Sequence, residues 1–317
     1  MAPPFRLTSS IPAERGLGYE MFLTGYGWKV VAALGASIVG GARGPIRYQA
    51  NSQRDFVVVA HQDDWQLFMG DVIAQRASAG DSITFIYLTA GDDGRDSTYW
   101  LAREQAALAS TRGLTGPPAF GAVSASCSIA VVHTHSIRRC AAGSTVSWFL
   151  RLTDGRRNGA GFARYGNQSL RKLRRRIITS VNAVDGSATY HGWADVSATV
   201  ADLLDAGEST GSGTIHTTDP SITINPHDHF DHRMAGVLVQ EVRKGRNRQA
   251  WYYVGYALST RAANRSAAQS RKKTSLFSAY DDAMISFNPK WSAYAEHPRF
   301  YSDCMLRTYV RHAPPVR

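Results

Sequence analysis

The chain has 317 residues, of which 44% are hydrophobic and 19% are charged, and its formal net charge is +11. This composition excludes a disordered chain, and the length is enough for one large α/β domain or two smaller ones. The positive charge suits a polyanionic partner. The basic clusters at residues 171–176, 243–248 and 271–273 lack interleaved aromatic residues, which indicates solvated faces and no specific nucleic-acid interface.

Residues 1–50 form a predicted amino-terminal extension, because the alternation of strands and helices begins only at Arg54. Residues 28–44 contain a lysine, a short apolar core and small residues ahead of an arginine, which is typical of a signal-peptide core. The segment is too short and too rich in glycine for an integral membrane span. We therefore expect export, with a cytoplasmic chain as the alternative, and one globular domain at residues 51–317.

The first half of this domain alternates between strand and helix. We predict strands at residues 55–60, 82–89 and 128–135, and helices at residues 65–79 and 98–113. Continuous apolar strands of this kind are typical of a parallel sheet that is buried on both faces. Because crossovers between parallel strands are right-handed, the pattern predicts an α/β fold, a Rossmann-like, mostly parallel sheet with helices on both faces.

The second half is less regular. We predict an exposed loop or insertion at residues 150–166, helices at 169–182 and 194–207, a strand at 214–220, a helix at 225–245 and a final strand at 251–259. Asn225 is the expected N-cap of the 225–245 helix, with Pro226 at its first position.

Three cysteines, Cys127, Cys140 and Cys304, lack the CxxC spacing of a cysteine zinc site. Cys127 and Cys140 flank one apolar run and can close a small loop in an oxidising compartment. Three free buried thiols are the equally weighted alternative.

The sequence FVVVAHQDDW, residues 56–65, ends an apolar strand in a histidine and two aspartates. At the carboxyl end of a parallel strand, His61, Asp63 and Asp64 lie where open α/β sheets bind their ligands. Neighbouring carboxylates repel each other unless a cation or a proton relieves them. A metal site is therefore the first hypothesis, and an isolated helix cap is the alternative.

A second cluster, HDHFDHR, begins the predicted 225–245 helix. His229 and His232 are three residues apart and share one face, which continues as an apolar stripe toward the core. Two histidines and one carboxylate are a common zinc ligand set, and a second carboxylate can act as general base. The other histidines, His133, His135, His191 and His216, are interpreted as structural.

Together these motifs resemble the LmbE-like zinc deacetylases, the superfamily of N-acetylglucosaminyl-phosphatidylinositol de-N-acetylase. The family's AHPDDE and HxDH motifs correspond to AHQDDW at residues 60–65 and HFDH at residues 229–232. Similar segments lie at residues 88–94, 99–104 and 252–264, so the resemblance covers roughly residues 55–310, with an atypical insertion around 140–215.

The resemblance implies a role for each residue of the two motifs. His61, Asp64 and His232 would hold Zn²⁺, and Asp63, with no evident partner, would be the general base. His229 would stabilise the oxyanion and protonate the leaving amine. Asp231 would orient a histidine through a hydrogen bond.

Two positions depart from the family pattern, because Gln62 replaces a proline and Trp65 replaces a glutamate. We expect Trp65 to line the substrate entrance, and Asp92 and Arg103 to contact the substrate.

The implied activity is hydrolysis of an N-acyl group, in particular N-acetyl, from an amino sugar or glycoconjugate. One alternative substrate is an N-acylglucosamine on a natural product such as a glycopeptide antibiotic. A hypothesis of another class is a basic binding module with a structural metal, for which Asp228 or His227 would supply a fourth ligand.

Overall fold

The computed structural model describes residues 53–114, 125–206, 213–246 and 248–315. The predicted extension at residues 1–50, with its signal-like segment, lies outside the described residues. The described residues belong to one compact unit. Within the described ranges, no helix has the length and apolar character needed to cross a bilayer.

A central sheet organises the described residues. Its strands are β1 (Arg54–Val59), β2 (Ser82–Thr89), β3 (Ser126–Val132), β4 (His135–Ala142), β5 (Thr145–Leu152), β8 (Ile215–Thr218), β9 (Ala250–Tyr253) and β10 (Val310–Ala313), while β6 (Ser180–Asn182) and β7 (Thr189–His191) form a separate hairpin. The spatial order is β10-β9-β8-β1-β2-β5-β4-β3. The five strands from β9 to β5 are parallel, and the strands outside them are antiparallel.

Helices cover both faces of this sheet. They are α1 (Asp64–Ser78), α2 (Ser97–Arg112), α3 (Leu170–Arg174), α4 (Gly192–Asp205), α5 (Phe230–Val242), α6 (Ala267–Phe287), α7 (Ala293–Glu296) and α8 (Pro298–Met305). Strand β1 divides its side chains between two cores, since Val57 and Val59 pack with α1, α2 and α6, and Phe56 and Val58 pack with α4 and α5. The predicted fold class is confirmed.

The predicted parallel strand at residues 128–135 is wrong. The chain forms an antiparallel hairpin there, β3 with β4, and the parallel neighbour of β2 is β5. Strands β4 and β5 alternate buried and partly exposed positions and contain arginines, so they lack the continuous apolar run on which the prediction relied. Arg151 of β5 is neutralised by Glu104 and Asp185.

The hairpin also settles which cysteines pair. Cys127 and Cys140 lie directly opposite each other on β3 and β4 and form a disulfide, while Cys304 is a buried free thiol.

Two predicted helices have different bounds. The segment at 169–182 forms only the short α3 before strand β6, and α5 begins at Phe230, five residues after the expected N-cap. The side-chain amide of Asn225 is engaged by Asp228, so it does not cap the helix. His229 takes that role, and its side chain accepts from the backbone N–H of Asp231.

The carboxyl-terminal segment departs from the predicted final strand at 251–259. After β9, the chain makes a 3₁₀ turn at Tyr256–Thr260, then helices α6 to α8, and returns as strand β10. Lys273 of α6 is fully buried and donates to the carbonyls of Cys304 and Arg307. Asp71 of α1 accepts from Arg265 and Thr308, so buried polar contacts join this segment to α1.

Candidate metal centre and its cavity

The predicted site residues converge at the carboxyl ends of the parallel strands. His61 and Asp63 lie in the turn between β1 and α1, and Asp64 is the first residue of α1. The loop between β8 and α5 brings His229 and His232 to the same edge of the sheet. The fold therefore assembles two motifs that are about 170 positions apart in the chain, as the ligand-binding edge of a parallel sheet predicts.

Three donor atoms, from His61, Asp64 and His232, form a compact triangle that we call the metal triangle. His61 Nδ1 and His232 Nε2 lie 3.1 Å apart, and Asp64 Oδ1 lies 3.0 Å from His232 Nε2 and 3.5 Å from His61 Nδ1. Tetrahedral zinc with ligands at 2.0–2.1 Å requires donor separations of about 3.3 Å. All three residues are buried, and their donor set fits a zinc ion.

Hydrogen bonds around the triangle orient two of its members. Asp228 Oδ1 lies 2.9 Å from His232 Nδ1, which fixes that nitrogen as the donor and leaves Nε2 with its lone pair for a metal. Asp64 Oδ2 accepts from the backbone N–H of His61 at 2.8 Å. Gly255 is required beside Asp228, because a Cβ there would lie 2.6 Å from the carboxylate.

The role implied for Asp231 as the orienting carboxylate is therefore not what the contacts show. Its Oδ2 accepts from the backbone N–H of Gly155 and lies 3.7 Å from His61 Nε2, beyond a hydrogen bond. Its backbone, not its side chain, bonds His229. Asp228, which the sequence interpretation considered only as a fourth ligand, orients His232 instead.

Electrostatics at the triangle favour positive charge. Burial lowers the pKa of His232, but the carboxylates of Asp64 and Asp228 outweigh burial and raise it to about 10. Burial raises the pKa of Asp64, yet the charges of His232 and His61 bring it well below its usual range. The site thus stabilises a cation, which either a proton or a metal ion supplies.

Asp63 has a partner, contrary to the expectation from the sequence. The guanidinium of Arg103 on α2 donates to Asp63 Oδ1, and both residues face the cavity. Burial opposes the charge on Arg103, but Asp63 holds the pKa of the guanidinium well above its ordinary value. The contact fixes the position of the Asp63 carboxylate beside the metal triangle.

His229 is neutral in this environment. Burial, with the positive charge of His61, lowers the pKa of His229 to about 4. Because Nδ1 accepts from the backbone N–H of Asp231, the proton of the neutral ring is on Nε2. His229 can therefore donate a hydrogen bond into the cavity.

Asp154 is the site residue that the sequence interpretation missed. It follows strand β5, is buried, and its carboxylate lies 3.5 Å from His61 Nε2 and 3.7 Å from His229 Nε2. The signal was present, since an aspartate followed by glycine ends this strand too. The sequence interpretation predicts no strand at residues 145–149 and places the end of β5 in the 150–166 loop, so Asp154 was not expected at a strand end.

A cavity of about 390 Å³ opens onto the triangle. Polar site residues and aromatic side chains line it together. The aromatic lining residues are Tyr99, Phe162, Tyr256, Tyr280, Trp291, Phe300 and Tyr301. Five of these seven lie in the carboxyl-terminal segment. We call these five side chains, Tyr256, Tyr280, Trp291, Phe300 and Tyr301, the aromatic wall.

Two predicted substrate contacts lie elsewhere. Trp65 is fully buried and packs against Phe85 with ring centroids 5.0 Å apart, so it is a core residue and does not line the entrance. Asp92 is also buried and accepts from the backbone N–H groups of Asp154 and Gly94. Burial raises the pKa of Asp92 to about 7, and its contacts brace two loops.

The family model described as PIG-L: GlcNAc-PI de-N-acetylase matches residues 56–243, more than half of the chain. The chain belongs to this family of de-N-acetylases, which confirms the resemblance that the motifs indicated. No curated protein matches the chain.

Solved structures are similar at low identity. N,N'-diacetylchitobiose deacetylase from Pyrococcus horikoshii shares 13% identity over 83% of this chain and 85% of its own, with a TM-score of 0.43. The A40926 pseudoaglycone deacetylase Dbv21 shares 13% over 84% and 97%, with a TM-score of 0.42. The 4-carboxy-2-hydroxymuconate hydratase GalB from Pseudomonas putida KT2440 shares 16% over 79% and 82%, with a TM-score of 0.40. At these identities the activities of these proteins do not identify the activity of this chain.

Proposed function

We propose that the protein is a zinc-dependent amide hydrolase that removes an N-acyl group, in particular acetyl, from an amino sugar or glycoconjugate. The observation that carries this proposal is the donor triangle of His61, Asp64 and His232, flanked by Asp63 and His229 at the base of an open cavity. Membership of a de-N-acetylase family supports the same chemistry.

Zinc held by His61, Asp64 and His232 would supply a Lewis acid that polarises the amide carbonyl. The side chains around it transfer the protons and stabilise the developing charge. Asp63 takes a proton from the attacking water, and Arg103 holds its carboxylate in reach by bonding Oδ1, which leaves Oδ2 as the proton acceptor. The same proton then passes to the leaving nitrogen, so that water and amide become a carboxylic acid and an amine.

His229 stabilises the developing oxyanion by donating from Nε2. A neutral imidazole with a fixed tautomer suits this role, because it needs no change of protonation during the reaction. We assign proton delivery to Asp63, because the only proton of the neutral His229 ring is the Nε2–H that donates to the oxyanion.

Neither residue considered as the fourth ligand of a structural metal closes the triangle, and His229, which lies within reach of His61 and His232, is assigned to the oxyanion. Structural zinc sites are normally closed by four side chains. Asp228 bonds the far nitrogen of His232, and the exposed His227 contributes its carbonyl to Arg157. Neither completes the coordination, which supports an open, catalytic site.

The test is amine release from a panel of N-acyl glucosaminides by zinc-loaded and chelator-treated protein. We expect His229→Gln to keep its zinc and lose roughly 10²–10³ in kcat, the usual loss for an oxyanion donor. His133→Gln is the matched control, because His133 lies on the hairpin surface and pairs with Asp202. If zinc-loaded wild type releases no amine from any member of the panel, the proposal is wrong.

A further inference from the structure

Four arginines gather near Phe230 beside the cavity, and two of them lie over its ring. The guanidinium carbons of Arg171 and Arg233 lie 4.3 and 5.2 Å from the centre of the Phe230 ring. Arg156, Arg157 and Arg233 line a groove of about 590 Å³ together with Phe230. We call this set, Arg156, Arg157, Arg171 and Arg233 around Phe230, the arginine groove.

Three of these guanidinium groups have carbonyl partners rather than carboxylate partners. Arg157 donates to the carbonyl of His227, Arg171 to that of Asn158 and Arg233 to that of Asn225. Over the described residues, none of the four arginines forms an ion pair with an acidic side chain. Asp228 also lines the groove, but it is buried and bonded to His232.

Four like charges gathered without a counter-ion repel one another, and an anion in the groove relieves that repulsion. Guanidinium groups bind carboxylate and phosphate through paired N–H donors. Each of these arginines keeps N–H groups that its carbonyl contact does not use. The groove is therefore suited to an anionic group of either kind.

The groove continues directly from the catalytic cavity. Arg156 and Arg157 line both spaces, and each lies over an aromatic ring of the cavity, at 5.7 Å from Phe162 and 5.6 Å from Tyr256. A molecule with its N-acyl group at the metal triangle reaches the groove by crossing these two side chains. One molecule can therefore occupy both spaces.

We infer that the substrate is an anionic glycan, with the N-acyl amino sugar in the cavity and a carboxylate or phosphate of the adjoining unit in the arginine groove. This inference rests on the proposed function. It also revises the interpretation of the 171–176 cluster as a solvated face, because Arg171 lies over the Phe230 ring that lines the groove. The net charge of +11 adds long-range attraction for such a polymer.

The experiment compares oligosaccharides of equal length as substrates of zinc-loaded protein. One alternates N-acetylglucosamine with glucuronate, one joins N-acetylglucosamine units by phosphodiesters, and one is a neutral N-acetylglucosamine chain. We expect at least one anionic substrate to exceed the neutral one about tenfold in kcat/KM at low salt. High salt should reduce that advantage by screening.

Two double variants locate the effect. Arg171→Gln with Arg233→Gln should reduce the preference for the anionic substrate about tenfold, mainly through KM. Arg271→Gln with Arg299→Gln removes the same charge from exposed positions on α6 and α8 and should keep the wild-type preference. Equal melting temperatures establish that both variants are folded.

The outcomes separate the two proposals. Equal kcat/KM for neutral and anionic substrates overturns the anionic-glycan inference and leaves the proposed function standing. Release of no amine from any substrate overturns the proposed function, and direct calorimetric titration with the glucuronate oligosaccharide then tests the groove alone. Equally tight binding of single-stranded DNA that is lost in the groove variant would assign the groove to nucleic acid and overturn the glycan inference.

Discussion

The metal triangle and the aromatic wall line the same cavity, but they come from different kinds of sequence segment. The triangle comes from two short motifs at strand ends, where His61 and Asp64 are three residues apart and His232 follows a fixed helix start. The wall collects single side chains from two 3₁₀ turns and the helices α6 and α8, between residues 256 and 301. Chemistry needs a fixed set of donors at close range, whereas binding needs only a surface.

The family model ends at residue 243, before the wall begins. The matched part therefore contains the donors of the triangle, and the unmatched part supplies five of the seven aromatic lining residues. We expect substitutions in the first region to abolish the reaction and substitutions in the second to change which substrate is used. Four substitutions test that division.

Asp64→Ala should have the largest effect. Removing one of three donors should reduce zinc content from about one per chain to near zero and abolish activity. Because Asp64 Oδ2 also accepts the backbone N–H of His61, we expect some loss of stability as well. Metal analysis with a melting curve measures both, and full zinc occupancy would contradict the ligand assignment.

Asp63→Asn should lower kcat by roughly 10²–10⁴ at unchanged zinc content, because it keeps the shape of the side chain and removes the base. Steady-state kinetics on the substrate identified in the panel provides the measurement. Asp93→Asn is the control, since Asp93 lines the same cavity but is exposed and pairs with Arg95. A near wild-type rate for Asp63→Asn would show that another group is the base.

Trp65→Ala should change stability and not selectivity. Trp65 fills the core beneath the sheet, so its removal should cost about 3–5 kcal/mol of unfolding free energy. Denaturant unfolding measures the loss, and the ratio of kcat/KM for two substrates should stay constant. A changed kcat/KM ratio at wild-type stability would show that Trp65 does contact the substrate at the entrance.

Trp291→Ala should have the smallest effect on the fold and act on binding. Trp291 is partly exposed and meets Tyr99 edge to face across the cavity mouth at 5.2 Å. Losing this contact surface should raise KM about fivefold with kcat nearly unchanged. Tyr294→Ala, an exposed aromatic residue that does not line the cavity, should leave KM as it is.

The same division explains how much the sequence predicted. Fold class and the convergence of His61, Asp64 and His232 followed from apolar runs that end in polar clusters, because strand ends of a parallel sheet share one edge. The wall gave no such signal, since Tyr256, Trp291 and Phe300 resemble ordinary core residues until tertiary packing brings them together. The bond from Arg103 to Asp63 was missed for the same reason, because it joins α2 to the turn before α1 through space.

The positions of Asp154 and Trp65 were predicted wrongly for a different reason, because local sequence pattern was extrapolated. Asp154 follows β5, whose alternating pattern did not predict a strand and whose end was placed in a loop. Trp65 directly follows a ligand, and nearness in sequence was equated with nearness in space. A helix turns successive side chains by about 100°, so the residue after a ligand need not share its surroundings.

The buried contacts between α1 and the carboxyl-terminal segment have a consequence for the order of synthesis. Asp71 is buried, and its partners Arg265 and Thr308 are 194 and 237 residues further along the chain. A ribosome makes α1 and both metal motifs well before these partners emerge, so until then Asp71 has to stay solvated and α1 cannot take its final place. We therefore expect the candidate metal triangle to be completed only when nearly all of the chain has been translated.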